Sequence, residues 1–215
     1  MGARTECQSE CPKYTDIRSR SRLANSKSHR WIMEEKGKTD VLTFGTGNSS
    51  LGKFLVASSD KGIRAILFGD TKDVLFEELR REFPDATCVG GGDEYGNVIG
   101  AVGYLIEHPE SEFQLPLDTA GGDFEQLTRA AIRTICAGKT VSHAEIARMI
   151  GASSESARYV ADVCAKNTIA VAVPCHRVEE ADGVGPQYRW GERIRRALLI
   201  REKAYLPKSP WVGFP

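Results

Sequence analysis

The chain has 215 residues, of which 41% are hydrophobic and 27% charged, a composition ordinary for a folded globular protein with one large or two small domains. No apolar run approaches the ~20 residues of a membrane helix. The N-terminus lacks the apolar core of a signal peptide, so we expect a cytoplasmic protein, nucleoid-associated if bacterial.

The formal net charge of +0 hides an asymmetry between the two halves of the chain. Residues 1–125 hold 15 basic and 21 acidic side chains, whereas residues 126–205 hold 13 and 8. A basic second half favours an anionic partner, although ordinary solvated surface charge explains the same numbers.

Residues 1–38 are predicted to be a basic, disordered appendage. The segment IRSRSRLANSKSHR is rich in Ser and Arg and has little apolar periodicity. Cys7 and Cys11 lie four residues apart, but no second cysteine or histidine pair with metal-ligand spacing follows. We therefore expect no metal site there.

Residues 39–120 are predicted to form an α/β domain. The runs VLTFGT, KFLVAS and IRAILFG are short, β-favouring and separated by turn residues, which indicates an antiparallel meander. TKDVLFEELRREF predicts a helix whose apolar stripe holds Val74, Leu75, Leu79 and Phe83. YGNVIGAVGYLIEH predicts a second helix, and FQLPLD a short extended piece.

Residues 121–205 are predicted to be mostly helical, before a Pro-rich tail at 206–215. Ser142 and Glu145 form a capping box for one helix. The chain then turns at Gly151, and a helix of small residues follows. This order fits a helix-turn-helix and an ordinary αα-hairpin equally well. WGERIRRALLIREKA predicts the last amphipathic helix.

The stretch VAVPCHRVEEADG sets Cys175, His176 and Arg177 together after the apolar run IAVAV, which we expect to be a strand. A thiol becomes nucleophilic as the thiolate and needs a base or a positive environment. Adjacent side chains of an extended chain point to opposite sides, so His176 would need a bridging water or a turn to act on Cys175. Glu202 is a candidate to orient that base. By residue types alone, a buried structural cysteine beside a polar loop explains the pattern at least as well.

The motif PCHRV, preceded by AKNTIAVAV and followed by YRWGERIRRALLIRE, resembles the O6-alkylguanine-DNA alkyltransferase family. The resemblance extends through TVSHAEIARMIG, SARYVADVCAKN and SLGKFLVASSDKGIRAILFGD, covers about residues 40–205, and is strongest to the C-terminal module of bacterial adaptive-response regulators. It implies a ribonuclease H-like domain with an antiparallel sheet, followed by a mostly helical, winged-helix-like domain with a helix-turn-helix. It also implies a repair protein that flips O6-alkylguanine out of duplex DNA and transfers the alkyl group irreversibly to itself.

The resemblance assigns the chemistry to five residues. Cys175 would accept the alkyl group, once per molecule. His176 would act on it through a water, with Glu202 holding the other ring nitrogen. Asn167 would tie the turn between the recognition helix and the active-site segment. His143 replaces a family tyrosine that is thought to protonate the leaving guanine, so it would either take that role or be a simple surface histidine.

The resemblance also assigns residues to DNA binding. Arg158 matches the arginine that enters the duplex in place of the flipped nucleotide. The small side chains of Ala157 and Ala161 would let their helix approach the minor groove closely. Ser154, at the start of that helix, completes the predicted contact set.

The pocket for the flipped base is expected to be lined by Tyr188 and by the backbone around Val173 and Pro174. No cofactor or metal is expected, because the damaged base is itself the alkyl donor. We expect a monomer that binds double-stranded DNA carrying O6-alkylguanine, with O4-alkylthymine as a further candidate, and no membrane. A lesion-binding relative without repair activity, and a cysteine hydrolase with an unidentified oxyanion hole, are the alternatives.

Two further pairs of residues depart from the family pattern. Thr128 and Arg129 stand where the family prefers an apolar pair, so we expect different local packing. Pro186 and Gln187 replace a flexible glycine-containing loop, which predicts a stiffer pocket rim.

Overall fold

A four-stranded sheet forms the first half of the structure, a computed structural model that describes residues 40–179 and 188–202. Its strands are Val41–Ser49 (β1), Gly52–Ser59 (β2), Gly62–Gly69 (β3) and Thr87–Gly90 (β4). The predicted meander is confirmed, since β1 pairs antiparallel with β2, and β2 with β3. The predictions for the appendage, the Pro-rich tail and the 186–187 loop lie outside the described residues.

The fourth strand, β4, was not predicted. It pairs parallel with β1 and gives the sheet order β3-β2-β1-β4. The strand has only four residues, and three of them are exposed. A short edge strand of this kind lacks the alternation of buried and exposed side chains by which strands are detected in sequence.

Two helices, Lys72–Glu82 (α1) and Gly96–Glu107 (α2), flank the sheet as predicted. The α1 helix begins at Thr71, whose side chain accepts a hydrogen bond from the Val74 N–H. Leu75 and Leu79 are fully buried, but the prediction that Val74 belongs to the same apolar stripe is wrong, because 53% of it is exposed. Val74 lies in the first turn, on the side facing solvent.

Both faces of the sheet are covered. Leu55 and Leu67 pack with the buried leucines of α1 on one face. On the other face, Phe54 and Ile66 join the main core, which includes α2 and the helical second half. Burial on both sides explains why β2 and β3 contain uninterrupted apolar runs rather than alternating ones. The extended piece FQLPLD contributes Leu117, which forms a bridge with β3.

The second half is mostly helical, and its helix-turn-helix is confirmed. Ser142 caps a helix by accepting from the Glu145 N–H at 3.2 Å, while the Glu145 carboxylate accepts from the Ser142 N–H at 2.7 Å. Gly151 then turns the chain with a φ of +79°. The bounds are Asp123–Arg133 (α3), Val141–Ser142 (β5), His143–Met149 (α4), Ala157–Ala165 (α5), Val178–Glu179 (β6) and Gly191–Arg201 (α6). No helix in the described ranges is long and apolar enough to cross a membrane.

The expected packing difference in α3 takes a simple form. Thr128 is fully buried and occupies the core position. Arg129 is half-buried, and its guanidinium donates a hydrogen bond to the Ala120 carbonyl at 2.6 Å. The core therefore accommodates a threonine and avoids the charge.

The apolar run IAVAV is not a strand, contrary to expectation. Only Ile169 forms a bridge, with Ile66 of β3. The chain then folds into successive turns, in which the Val173 N–H donates to the Ile169 carbonyl at 3.2 Å. Val171 has a φ of +62°, which bends a β-favouring sequence away from the sheet. The run is buried in a turn that leads to Cys175.

Candidate active site around Cys175

Cys175 begins a single 3₁₀ turn, Cys175–Arg177, that follows these buried turns. Its N–H donates to the Val173 carbonyl at 2.8 Å, and the Arg177 N–H donates to the Pro174 carbonyl at 2.9 Å. The residue is 4% exposed and its thiol is free. Successive side chains in such a turn are about 120° apart. The side chains of Cys175 and His176 therefore do not point to opposite sides, as they would in a strand.

Asn167 ties this turn together, as predicted. Its side-chain amide donates to the Ile169 carbonyl at 3.2 Å and to the Val173 carbonyl at 3.1 Å, and its side-chain oxygen accepts from the Ile169 N–H at 3.0 Å. The side chain is buried, so each of these bonds satisfies a backbone group that water does not reach. One side chain thus holds a turn that backbone pairing alone would leave incomplete.

The predicted pairing of His176 with Glu202 is present. The His176 Nε2 lies 2.7 Å from the Glu202 Oε1, and both side chains are fully buried. Burial lowers the pKa of His176, against the opposing effect of the neighbouring carboxylate. A neutral ring that donates through Nε2–H carries its lone pair on Nδ1. That Nδ1 is buried and has no hydrogen-bond partner within the described residues.

Arg177 braces the fold by binding the same carboxylate. Its guanidinium donates to Glu202 at 2.9 Å, to the Ile135 carbonyl at 2.6 Å and to the Pro109 carbonyl at 2.8 Å. Burial alone would raise the pKa of Glu202, but hydrogen bonds from His176 and Arg177 outweigh it and lower the pKa. Glu202 therefore stays ionised, shared between a permanent cation and the imidazole.

A second thiol, from α5, lies against Cys175. Cys164 lies close enough to Cys175 and to His143 for both to affect its pKa. The contact with Cys175, together with burial, raises the pKa of Cys164 well above its usual value. His143 is 5% exposed, so the alternative interpretation of a surface histidine is wrong. Sequence reasoning gave Cys164 no role.

Tyr188 lies beside this group. Its ring is 6.2 Å from the His176 ring in an edge-on arrangement, and its buried hydroxyl has no hydrogen-bond partner among the residues described. Burial raises the pKa of Tyr188 well above its usual value, and the neighbouring Cys175 and Glu202 contribute to the rise. Val173 and Pro174 are also buried, and the Val173 carbonyl already accepts two hydrogen bonds.

The predicted DNA-contacting residues are only partly brought together. Ser154 and Arg158 are exposed and Ala157 is half-buried, all at the N-terminal end of α5. Ala161 is 5% exposed and packs inward, so the structure does not place its side chain on that surface. The Arg158 guanidinium lies 4.6 Å from the Tyr159 ring centre and donates to the Tyr159 hydroxyl at 2.7 Å. Sequence reasoning missed this contact.

A cavity of about 440 Å³ lies between α3 and α5. Phe124 and Tyr159 form part of its wall, with Asp162 and Lys166. Cys175 does not line it. The cavity therefore belongs to the helix-turn-helix surface and not to the candidate active site.

Two family models match the chain. The model described as "6-O-methylguanine DNA methyltransferase, ribonuclease-like domain" matches residues 42–92. The model described as "6-O-methylguanine DNA methyltransferase, DNA binding domain" matches residues 123–204. The first model covers the meander and α1. The second covers all the predicted catalytic residues, from His143 to Glu202.

Curated relatives and solved structures point to the same family as the two family models. The "Bifunctional transcriptional activator/DNA repair enzyme Ada" of Escherichia coli is 37% identical over 77% of this chain and 47% of its own length. The inducible "Methylated-DNA--protein-cysteine methyltransferase" of Bacillus subtilis is 30% identical over 70% of this chain and 84% of its own. The chain thus spans about half the length of the first of these relatives. The crystal structure titled "Mycobacterium tuberculosis OGT in complex with DNA" has a TM-score of 0.61 at 29% identity, over 75% of this chain and 93% of that one.

The His176–Glu202 pair predicts a pH-dependent stability. Because the pKa of His176 is lowered by folding, the unfolded chain binds more protons below its usual value of 6.5, so stability is lost as the pH falls through that value. We expect a loss of up to about 1.4 kcal/mol for each pH unit as the pH falls below about 6.5. Glu202, whose pKa is also lowered, adds a further loss only nearer 4.5. Urea unfolding followed by circular dichroism at each pH measures this.

The His176→Asn variant should lose most of this slope while remaining folded. The matched control is His108→Asn, which removes a half-exposed histidine that lies 3.4 Å from the Glu110 carboxylate and stacks on Tyr104. An identical slope in wild type and His176→Asn would contradict the assignment.

Proposed function

Because the chain belongs to the O6-alkylguanine-DNA alkyltransferase family, we propose that it repairs DNA by transferring the alkyl group of O6-alkylguanine irreversibly to Cys175. The observation that carries the proposal is a free, buried thiol held in one turn with a histidine whose far nitrogen binds a buried glutamate. The names of the relatives favour repair over the lesion-binding alternative, as does the presence of Cys175 itself.

Transfer begins with loss of the Cys175 proton. The lowered pKa of His176 keeps its ring neutral near pH 7, so the Nδ1 lone pair is available as a base. In the proposed mechanism a water passes the thiol proton to Nδ1. The thiolate then attacks the alkyl carbon, a C–S bond forms, and the bond between that carbon and guanine O6 breaks with its electron pair going to the guanine.

Glu202 is proposed to serve this step in two ways. It fixes the ring orientation by accepting from Nε2–H, and its charge stabilises the imidazolium that forms during proton transfer. Arg177 moderates the second effect by sharing the carboxylate, which keeps the resting imidazole neutral.

His143 is proposed to protonate the leaving guanine. It occupies the first position of α4 and is buried beside Cys164, one side chain away from the acceptor sulfur. Tyr188, with its unengaged hydroxyl, is proposed to line the base pocket with the backbone of Val173 and Pro174. The Val173 carbonyl is already bonded twice, so that backbone would contribute shape to the pocket.

Double-stranded DNA is the proposed partner, with O6-alkylguanine as substrate and O4-alkylthymine as a second candidate. A base inside a duplex cannot reach a buried thiol, so the nucleotide must be flipped at a cost of a few kcal/mol. Arg158, exposed at the N-terminal end of α5, is proposed to fill the resulting gap, with Ser154 and Ala157 against the backbone. Ala161 packs inward, and its proposed contribution to DNA binding is to support α5 from the core side. The proposal takes residues 39–120 and 121–205 as the two domains of a cytoplasmic monomer.

The Cys175→Ala variant should separate chemistry from binding. Without the sulfur no alkyl acceptor remains, so transfer of a radiolabelled methyl group from duplex O6-methylguanine should fall to background. Binding of the same duplex, measured by fluorescence anisotropy, should stay within about threefold of wild type because the helix-turn-helix is unchanged. Cys88→Ala, a change in β4, is the control and should keep full transfer. Retained transfer in Cys175→Ala would contradict the proposal.

The Arg158→Ala variant should reveal base flipping. Repair of duplex O6-methylguanine should slow by about tenfold to a hundredfold, which corresponds to the loss of a gap-filling contact of about 1.4–2.8 kcal/mol. Reaction with free O6-benzylguanine, which needs no flipping, should change by less than about twofold. Arg80→Ala removes an exposed arginine from α1 and should alter neither rate. Equal losses on both substrates would contradict the role of Arg158.

A further inference from the structure

An ion-pair cluster joins α1 to the segment that holds Tyr188. The Nη2 of Arg189 donates to the Glu78 carboxylate at 2.9 Å and to the Glu82 carboxylate at 2.6 Å. The three charged side chains are only 14% to 27% exposed, so solvent and salt screen this contact less than they screen an exposed surface pair. Neither the proposed mechanism nor the proposed DNA-binding surface uses these charges.

The spacing of the two carboxylates on α1 suits a single cation. Glu78 and Glu82 lie four residues apart, on one side of the helix, where they would repel each other. Arg189 binds both and offsets that repulsion. Leu75 and Leu79 of the same helix are fully buried, so the carboxylates belong to an element that is anchored in the core. The α1 helix therefore offers a fixed binding site for one arginine.

Arg189 lies in a tight turn directly after Tyr188. The Gly191 N–H donates to the Tyr188 carbonyl at 2.7 Å, and Gly191 has a φ of +85°. The Arg189 guanidinium also lies 5.7 Å from the centre of the Trp190 ring. A displacement of Arg189 would therefore displace both of its aromatic neighbours.

Aromatic contacts continue from this turn to the candidate active site. The Trp190 ring centre lies 6.2 Å from that of Phe68 in β3 and 5.2 Å from that of Tyr188. The Tyr188 ring in turn lies 6.2 Å from the His176 ring. Aromatic rings at such distances attract one another. The turn thus packs on the sheet on one side and on the proposed base on the other.

Tyr188 has no polar anchor of its own. Its hydroxyl and the Trp190 Nε1 are both buried without a hydrogen-bond partner in the part of the chain that the structure describes. The ion pair with α1 is the polar contact that a side chain of this turn makes with the rest of the fold. The position of the Tyr188 ring therefore depends on Arg189.

We infer that Arg189 is a positioning residue, which holds Tyr188 at the wall of the base pocket by binding Glu78 and Glu82 of α1. The inference rests on the proposed function, in which Tyr188 lines that pocket. It gives the first half of the chain a part in the reaction, because α1 lies within the region matched by the ribonuclease-like model.

The first test measures methyl transfer from duplex O6-methylguanine in single turnovers, over a range of protein concentrations. Arg189→Met removes the charge and keeps an unbranched side chain. The double variant Glu78→Gln/Glu82→Gln removes the same contact from the α1 side. If one of the two does not fold, as judged by its melting temperature, the other decides the outcome. Arg81→Met and Glu77→Gln change exposed side chains of α1 and are the matched controls.

Both charge-removing changes should lower the limiting rate of transfer by about fivefold to tenfold, because the flipped base meets a displaced pocket wall. The protein concentration that gives half this rate should change by less than about twofold, since the DNA-binding surface is untouched. Arg189→Lys keeps a cation and should stay within about twofold of the wild-type rate. A wild-type limiting rate in both charge-removing variants would overturn the inference, as would a loss in Arg189→Lys equal to that in Arg189→Met.

A double-mutant cycle separates positioning from general stability. In the Tyr188→Ala background the ring to be positioned is gone, so adding Arg189→Met should cost less than about twofold in the limiting rate. A loss of about fivefold to tenfold that persists in this background would mean that Arg189 acts on stability alone, and the inference would fail.

Binding in the Cys175→Ala background separates the inference from the repair function. Fluorescence anisotropy gives the ratio of the affinities for O6-methylguanine duplex and undamaged duplex, and Arg189→Met should lower this ratio. A lowered ratio in a protein that transfers no methyl group would support the role of Arg189 and refute repair. Normal transfer in wild type, with limiting rate and ratio both unchanged in Arg189→Met, would refute the role of Arg189 alone. A wild type with neither transfer nor a preference for the lesion would refute both.

Discussion

The buried Glu202 carboxylate is the interaction on which the rest of the structure depends. It binds Arg177, which also holds the carbonyls of Ile135 and Pro109, and so joins the end of α6 to the region of α3 and to the segment after α2. The same carboxylate binds His176. Removing the charge of Arg177 or of Glu202 would leave the other charge of this pair buried without its ionic partner, at a cost of about 3–5 kcal/mol. The group that holds the domain together is therefore the group that orients the proposed base.

A second constraint concerns how a buried thiol is presented. The apolar run before Cys175 does not continue as a strand, because Val171 takes a left-handed conformation and Asn167 satisfies the backbone groups of the resulting turn. Local strain of this kind persists only where the surroundings enforce it. Here the enforcement comes from full burial of the run against the sheet. The turn ends with Cys175 beside His176 and within reach of Cys164, which a straight strand would not achieve.

The sequence predicted most of the framework, because periodicity and capping are local properties. The meander and the capping box at Ser142 follow from patterns within a few residues, whereas the choice of a helix-turn-helix over an αα-hairpin came from family resemblance. The misses have tertiary causes. The turn at Val171 opposes the β preference of valine, and the small side chain of Ala161 suits an inner or an outer face equally. The contact of Cys164 with Cys175 depends on two elements meeting. The roles of Cys175, His176 and Asn167 came from family resemblance, since residue types alone fitted a structural cysteine.

The central claim is that Cys175 is a single-use alkyl acceptor. The most direct measurement is intact-protein mass spectrometry after incubation with excess duplex DNA containing O6-methylguanine, followed by peptide mapping. The account predicts the mass of one added methyl group, located on Cys175, with no second addition however long the incubation. Unchanged protein mass, or a methyl group on a different residue, would contradict it.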